Sequence, residues 1–494
     1  MSNFVSGLFS QSLHDKASAG STKALVNELK KKPHRVNARD DLGDTALHKA
    51  VANGHKEMVK ELLLSNADTN AVNRRGDSPL HVAVLAYNRE IFVMLIFKGA
   101  DANLKNVDGV TPLILACQEG RTDLCKMLID RGAKVKASDR WGYTPLHHAA
   151  AAGAEDLLVS LIDGGGDIHS KNVYGETALM FACSSGKEAV VRTLLEYGAV
   201  ADEHDQNGCT ALYYACGNGN KHIVPLLIAF NADINNSSSI GDTALMTTCL
   251  LGHAETVKTL LEGGSNVNAV NFFGYSALHF AAMVGSIDVA VVLINNKISV
   301  NLASSTSGDT PLMEACSAGS VAFVDFLIRS GGDVFTVNNE GDSALHKALK
   351  KGHQDLALFL IDHTATNLNH KDRDGNTPLF LACKIGFKSA VSKILLKNVI
   401  RINDRNFSGE SALHYCCLDK LNGEVLSLLI DNGASVVARN HMRETPLHTL
   451  SDLDHASDES IPLARTLLKH CPTVVHDKVD IYTYIYNCSF LSVL

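Results

Sequence analysis

Glycine recurs along this chain at a fixed step. Gly43, Gly76, Gly109, Gly142, Gly175, Gly208, Gly241, Gly274, Gly308, Gly341, Gly375 and Gly409 are spaced by 33 or 34 residues, and Arg443 takes the equivalent place a thirteenth time. Self-similarity at that period restricts the chain to one supersecondary motif copied and stacked, because a single copy cannot bury its own apolar face. Two residues after each of these positions stands Ser or Thr, from Thr45 to Thr445 without exception, then Pro or Ala, then Leu. That triplet is a helix start: the hydroxyl caps an early backbone N–H, Pro or Ala occupies the first turn, and Leu opens the buried stripe. About seven residues after most of these leucines comes a second glycine, such as Gly54, Gly153 or Gly285, which suits a left-handed helix stop. A second helix follows with apolar spacing such as Val257, Leu260 and Leu261, and residues 103–109 show the polar, turn-rich finger that leads to the next copy.

The period, the Gly-x-Thr-Pro-Leu-His-x-Ala block at residues 142–149 and the Gly-Ala-Asp-x-Asn ending at residues 99–103 resemble the ankyrin repeat. The resemblance implies an all-α repeat solenoid, two antiparallel helices and a projecting finger per repeat, stacked into a curved superhelix over residues 36–471. Residues 1–35 are expected to form a degenerate capping repeat, in which Leu13, His14 and Gly20 keep the spacing of Leu47, His48 and Gly54. Residues 472–494 read as an atypical tail, poorly packed or truncated. Tyr87 and Lys420 replace the inter-helix glycine, which predicts a different turn in repeats two and twelve. Repeat thirteen is the weakest, with Arg443 for glycine and an acidic insertion through Asp452, Asp454, Asp458 and Glu459.

Composition then excludes other classes. A net charge of -8, with no basic stripe, gives no general attraction to nucleic acid or anionic membrane. No apolar run is long enough to span a bilayer, and the first thirteen residues lack a signal peptide's basic and apolar regions. Twelve cysteines scattered through a long chain fit a reduced setting, so the expected location is cytoplasmic, with nuclear entry allowed. A histidine row (His48, His81, His147, His279, His346, His414 and His448) reads as structural, since other repeats carry Ile114, Met180 or Phe380 there. Cys117, Cys183, Cys216, Cys249, Cys316, Cys383 and Cys417 share one first-helix position and read as small apolar filler. Sulfurs on helices about 8 to 10 Å apart cannot share a zinc ion. A redox role, if present, falls on Cys416 and Cys417. The glycines 164–166 read as a helix end rather than a phosphate loop, and Lys30, Lys31, Lys32, His34 and Arg35 as the basic end of a capping helix. No enzyme, cofactor or metal is expected.

Function therefore has to rest on surfaces. The resemblance implies a monomeric protein-interaction scaffold or adaptor that holds other proteins on the concave face. The alternatives are a substrate receptor of a ubiquitin ligase and a cytoplasmic sensor segment of a longer membrane protein. In ankyrin repeats that face is lined by residues flanking the repeat glycine and those nine and ten after it. Leu250, Leu251, Phe272, Phe273, Tyr275, Met283 and Val284 fall at such positions in repeats seven and eight and are expected to form an exposed apolar and aromatic patch. A smaller cluster, Arg140, Trp141, Tyr143 and Tyr174, occupies fingers four and five, either as a second contact or as packing that stiffens the fingers. By the same resemblance, Asn70, Asn103, Asn235, Asn268, Asn301 and Asn369 match the position that an asparaginyl hydroxylase modifies in some ankyrin proteins.

Overall fold

The computed structural model describes residues 12–363, 367–397, 399–418, 423–451 and 460–470. These carry 28 α-helices, from Leu13–Ser18 to Ser460–Lys469, and one short 3-10 turn, Pro33–Arg35. Among the described residues the only extended pairing is two isolated bridges, Arg39 with Thr45 and Val270 with Ser276. No helix among them is long and apolar enough to cross a membrane. The helices alternate short first and second members of a pair, and contacts divide the chain into two compact units. One holds residues 1–239 with 262–264, the other 240–261 with 265–494.

Repeat eight shows why the sequence folds this way. Ser276 lies in extended backbone at the N-cap of the helix Ala277–Val284, and Gly285 ends that helix at φ +70. Leu278, Ala281 and Ala282 are fully buried, and the alanines let the first helices of repeats seven and nine approach closely. Val289, Ala290 and Leu293 of the second helix, Ile287–Asn295, close the other side. In the first compact unit Leu179 and Leu212 hold the position of Leu278 and are equally buried. Leu179→Ala is expected to cost about 2 to 5 kcal/mol as a large-to-small core change. Because stability runs through nearest neighbours, amide exchange should rise in repeats four to six while repeat one keeps its protection. A uniform rise across residues 12–239 would contradict that coupling.

The fingers are closed by side chains as well as backbone. In repeat two, Asn73 Oδ1 accepts from the N–H groups of Arg75 and Asp77 at 2.9 and 3.0 Å, while the Asn73 N–H donates to the Asp77 carbonyl at 3.0 Å. Each finger then donates one N–H to the finger before it. Arg74, Val107, Arg140, Val173, Gln206 and Ser239 do so in the first unit, and Phe272, Ser305, Asn339, Arg373, Phe407 and His441 in the second. The close approach requires glycine: a Cβ on Gly274, at φ +80, would lie 2.2 Å from the Ser305 nitrogen.

Two departures from the repeat pattern resolve in the same way. Tyr87 does not create a new turn; it adopts the glycine's own left-handed conformation, φ +49 and ψ +42. The Arg121 guanidinium sits 4.2 Å over its ring and its hydroxyl donates to Asp123 at 3.3 Å, contacts that offset the backbone strain. Arg443 likewise takes φ +66 in place of the repeat glycine. Lys420, the acidic insertion with Asp452, Asp454, Asp458 and Glu459, and the tail 472–494 lie outside the described residues. Glycines 164–166 terminate the helix Glu155–Asp163, with Gly165 at φ +90.

Candidate partner-binding surface

The histidine row is committed to the fold. In repeat eight the Ser276 N–H donates to His279 Nδ1 at 3.0 Å, which fixes the proton on Nε2. Nε2 then donates to the Asp309 carbonyl of the next repeat at 3.0 Å. The same pair of bonds recurs at His48, His81, His147, His346 and His414. With both ring nitrogens engaged, none of the six offers a lone pair to a metal or a substrate. Burial holds all six below the usual imidazole value, His279 and His346 at about 4. The seven aligned cysteines are all buried on the first helices, and burial pushes the thiols of Cys183, Cys249 and Cys316 up, away from the reactive thiolate. Cys416, beside Cys417, is buried as well.

Large apolar side chains are left to solvent in many repeats, Phe97, Phe407 and Met442 among them, and repeats seven and eight carry a group of them. Phe272 is 73% exposed and Phe273 45%. Their backbone is held on both sides: Phe272 N–H donates to the Ile240 carbonyl at 3.2 Å, Phe273 N–H to Asn271 Oδ1 at 3.0 Å, and the Phe273 carbonyl accepts from Ser305 at 2.9 Å. The rings stay largely open to solvent, with one edge of the Phe272 ring resting over Gly241. Leu250 and Leu251, at the end of the helix Ala244–Leu250, and Val284, at the end of Ala277–Val284, are also exposed. These two helices pack side by side at a 33-residue register, so the two apolar ends are neighbours. The finger rings and the helix ends are separated by the eight-residue helix itself, about 12 Å long.

Tyr275 and Met283 differ from the expectation of full exposure: both are half-buried. The Tyr275 hydroxyl donates to Glu314 Oε1 at 3.1 Å, and its ring lies edge-on to His279 at 5.2 Å and tilted against Phe280 at 6.1 Å. Tyr275 and the half-buried Phe280 thus bridge the two exposed groups into one face. Phe280 was missed by reading only finger and helix-end positions, although its place three and four residues before Met283 and Val284 marks it as sharing their helix face. Ile240, 47% exposed at the same repeat position as Phe273, was missed as well.

The smaller cluster is mostly internal packing. Arg140 pairs with Asp108 of the preceding finger at 2.8 Å and lies 4.0 Å over the Trp141 ring. Tyr143 packs edge-on against His147 and Phe181 at 6.0 and 5.7 Å. Tyr174 alone of the four stands free as a large apolar surface, 52% exposed. The asparagines Asn70, Asn103, Asn268, Asn301 and Asn369 act as staples, each Oδ1 accepting an N–H of the next repeat at 2.7 to 3.0 Å. Asn235 donates its N–H to Asp233 Oδ1 at 2.9 Å.

Comparison with known proteins agrees with this architecture. The family model described as "Ankyrin repeats (3 copies)" matches residues 13–106, 85–172, 150–238, 218–304, 299–372 and 364–440. A 67-residue stretch is 39% identical to Notch-regulated ankyrin repeat-containing protein A of Danio rerio, covering 14% of this chain and 59% of that protein. The Homo sapiens Notch-regulated ankyrin repeat-containing protein is 37% identical over 67 residues, 14% of this chain and 58% of that protein. Ankyrin repeat and KH domain-containing protein mask-1 of Caenorhabditis elegans is 34% identical over 70 residues, 14% of this chain and 3% of that protein. The chain spans less than two thirds of the length of each of these relatives. With six family matches running from residue 13 to residue 440, the chain belongs to the ankyrin-repeat family.

Proposed function

We propose that the chain is a protein-interaction scaffold that holds a partner against the fingers and first helices of repeats seven and eight. Ankyrin repeats are in general protein-protein interaction modules, which supplies the class. The observation that carries the site is the pair Phe272 and Phe273: two large rings left exposed by a finger whose N–H groups are tied to the preceding finger and to Asn271. Exposed aromatic surface is unfavourable until covered, and rings presented on a rigid backbone lose little freedom on binding. Leu250, Leu251 and Val284 extend the contact along the neighbouring helix ends. The partner supported by this chemistry is a protein segment with apolar anchors.

The test is a comparison of variants in affinity capture with quantitative mass spectrometry. Leu251→Ser with Phe273→Ser removes two exposed anchors and should weaken a captured partner by about 2 kcal/mol or more, the scale of a binding hot spot. Trp141→Ala with Tyr143→Ala, in residues already used for packing between fingers, should retain the partner if its circular dichroism is native. A partner set unchanged by the first pair would refute the site.

A further inference from the structure

The bases of fingers three and four carry a second surface, in the other compact unit from the aromatic row. A groove of about 570 Å³ opens there between residues 133–138 and the helix-end glycines Gly164 and Gly165, with Lys105 of the preceding repeat on its edge. Repeat four reads Gly-Gly-Gly at 164–166 where repeat three reads Arg-Gly-Ala at 131–133, so no long side chain stands at 164 on the groove's edge. At the groove's glycine edge a Cβ on Gly165 would meet nothing within 4 Å, and one on Gly164 would touch Val135 Cγ1 at 3.4 Å. The ionisable residues lining the groove are Lys105, Lys134 and Lys136, all exposed, and no carboxylate lines it. Lys105 Nζ donates to the Ser138 carbonyl at 2.6 Å, which holds its charge at the groove. Lys134 and Lys136 have no acidic partner among the described residues.

Three uncompensated ammonium groups around one groove stand out in a chain of net charge -8. Their mutual repulsion is relieved by an anionic occupant. The length of that occupant follows from the size of the groove. The three lysines line one groove of about 570 Å³, a span that a segment of a few residues covers, whereas a long polyanion would run beyond it. Lysines, as flexible point charges, accept carboxylates in varied geometry rather than imposing the planar fork that arginine does. We propose that this groove binds an acidic peptide segment, its Asp and Glu carboxylates held by Lys105, Lys134 and Lys136. Lysines that only complemented the carboxyl end of the helix Glu155–Asp163 would stabilise the fold and bind no peptide.

The experiment uses the full chain and a fluorescein-labelled Glu-rich peptide, read by anisotropy. The unaltered chain should bind it, more weakly as salt is raised, and Lys134→Glu with Lys136→Glu should weaken binding by about tenfold or more. Lys134→Gln with Lys136→Gln should give a smaller loss, and serves if the charge reversal disturbs folding. Lys23→Glu with Lys126→Glu, an equal charge change at exposed sites elsewhere in the same unit, should leave binding intact. Leu251→Ser with Phe273→Ser should leave it intact too, which separates this groove from the aromatic face. The proposal is overturned if the peptide does not bind, if the Lys23 and Lys126 control loses as much, or if a single-stranded oligonucleotide of equal charge binds as tightly through the same lysines. It is equally overturned if the groove variants shift only the melting temperature, the result expected of a helix-end role.

Discussion

Between pH 6.5 and pH 4 the chain is expected to lose stability steeply, one histidine at a time. His279 and His346 are held at about 4 by burial, against an ordinary value of 6.5. A histidine held low is neutral in the folded state, so its contribution is complete above 6.5. As pH falls, the unfolded chain takes up protons that the folded chain refuses, and the loss is complete near 4. That gap is worth about 3 kcal/mol for each of the two. His48, His81, His147 and His414 shift in the same direction for the same cause. The geometry explains the refusal: a proton on His279 Nδ1 would face the Ser276 N–H that now donates to it. Urea midpoints measured from pH 7.5 to 4.5 should therefore fall continuously. Amide exchange at pH 5 should rise first in repeats one, two, four, eight, ten and twelve, and last in repeats three, five and nine, which carry Ile114, Met180 and Met313 instead. Loss spread evenly over both sets would mean that these imidazoles are not the cause.

Two glycine substitutions with the same backbone angle should differ about twofold in cost. Gly99 and Gly274 lie at φ +81 and +80, but a Cβ on Gly99 meets nothing within 4 Å while one on Gly274 meets the Ser305 nitrogen at 2.2 Å. Gly99→Ala should cost about 1 to 2 kcal/mol, the penalty of a side chain in the left-handed region. Gly274→Ala adds overpacking of about 1 to 3 kcal/mol and separates the Ser305 N–H from the Phe273 carbonyl. It should also weaken partner capture, since Phe272 and Phe273 sit on that finger. Equal urea midpoints for the two variants would remove the argument that finger spacing, rather than backbone angle alone, demands glycine.

The helical repeat was legible because its chemistry is local. A capping hydroxyl, a proline or alanine and a leucine act within one turn, and each copy repeats them. Exposure at the candidate face was only partly legible. Phe272 and Phe273 owe their exposure to finger position, which the period gives. Tyr275 and Tyr143 owe their burial to Glu314 and Phe181, each 38 or 39 residues away in the next repeat, and no local rule names those partners. Tyr87 was misread for a related reason: the strain of its left-handed backbone is offset by Arg121 and Asp123 of the following repeat. The lysine groove was invisible as a run, since Lys105 joins Lys134 and Lys136 only when two fingers stand side by side.

The single N–H that each finger donates to its predecessor has a mechanical meaning. Within each compact unit every boundary is tied by nearly the same small set of bonds: one finger hydrogen bond, in many repeats a histidine to the next carbonyl, and in many an asparagine to the next N–H. A chain tied in this way has no single latch whose rupture frees the whole. Under tension it yields repeat by repeat, each release letting out about 110 Å of extended chain, the reach of 33 residues. Neighbours on either side remain folded meanwhile, so a stretched molecule could keep its phenylalanine finger intact while distant repeats lengthen, and act as a tether of adjustable length.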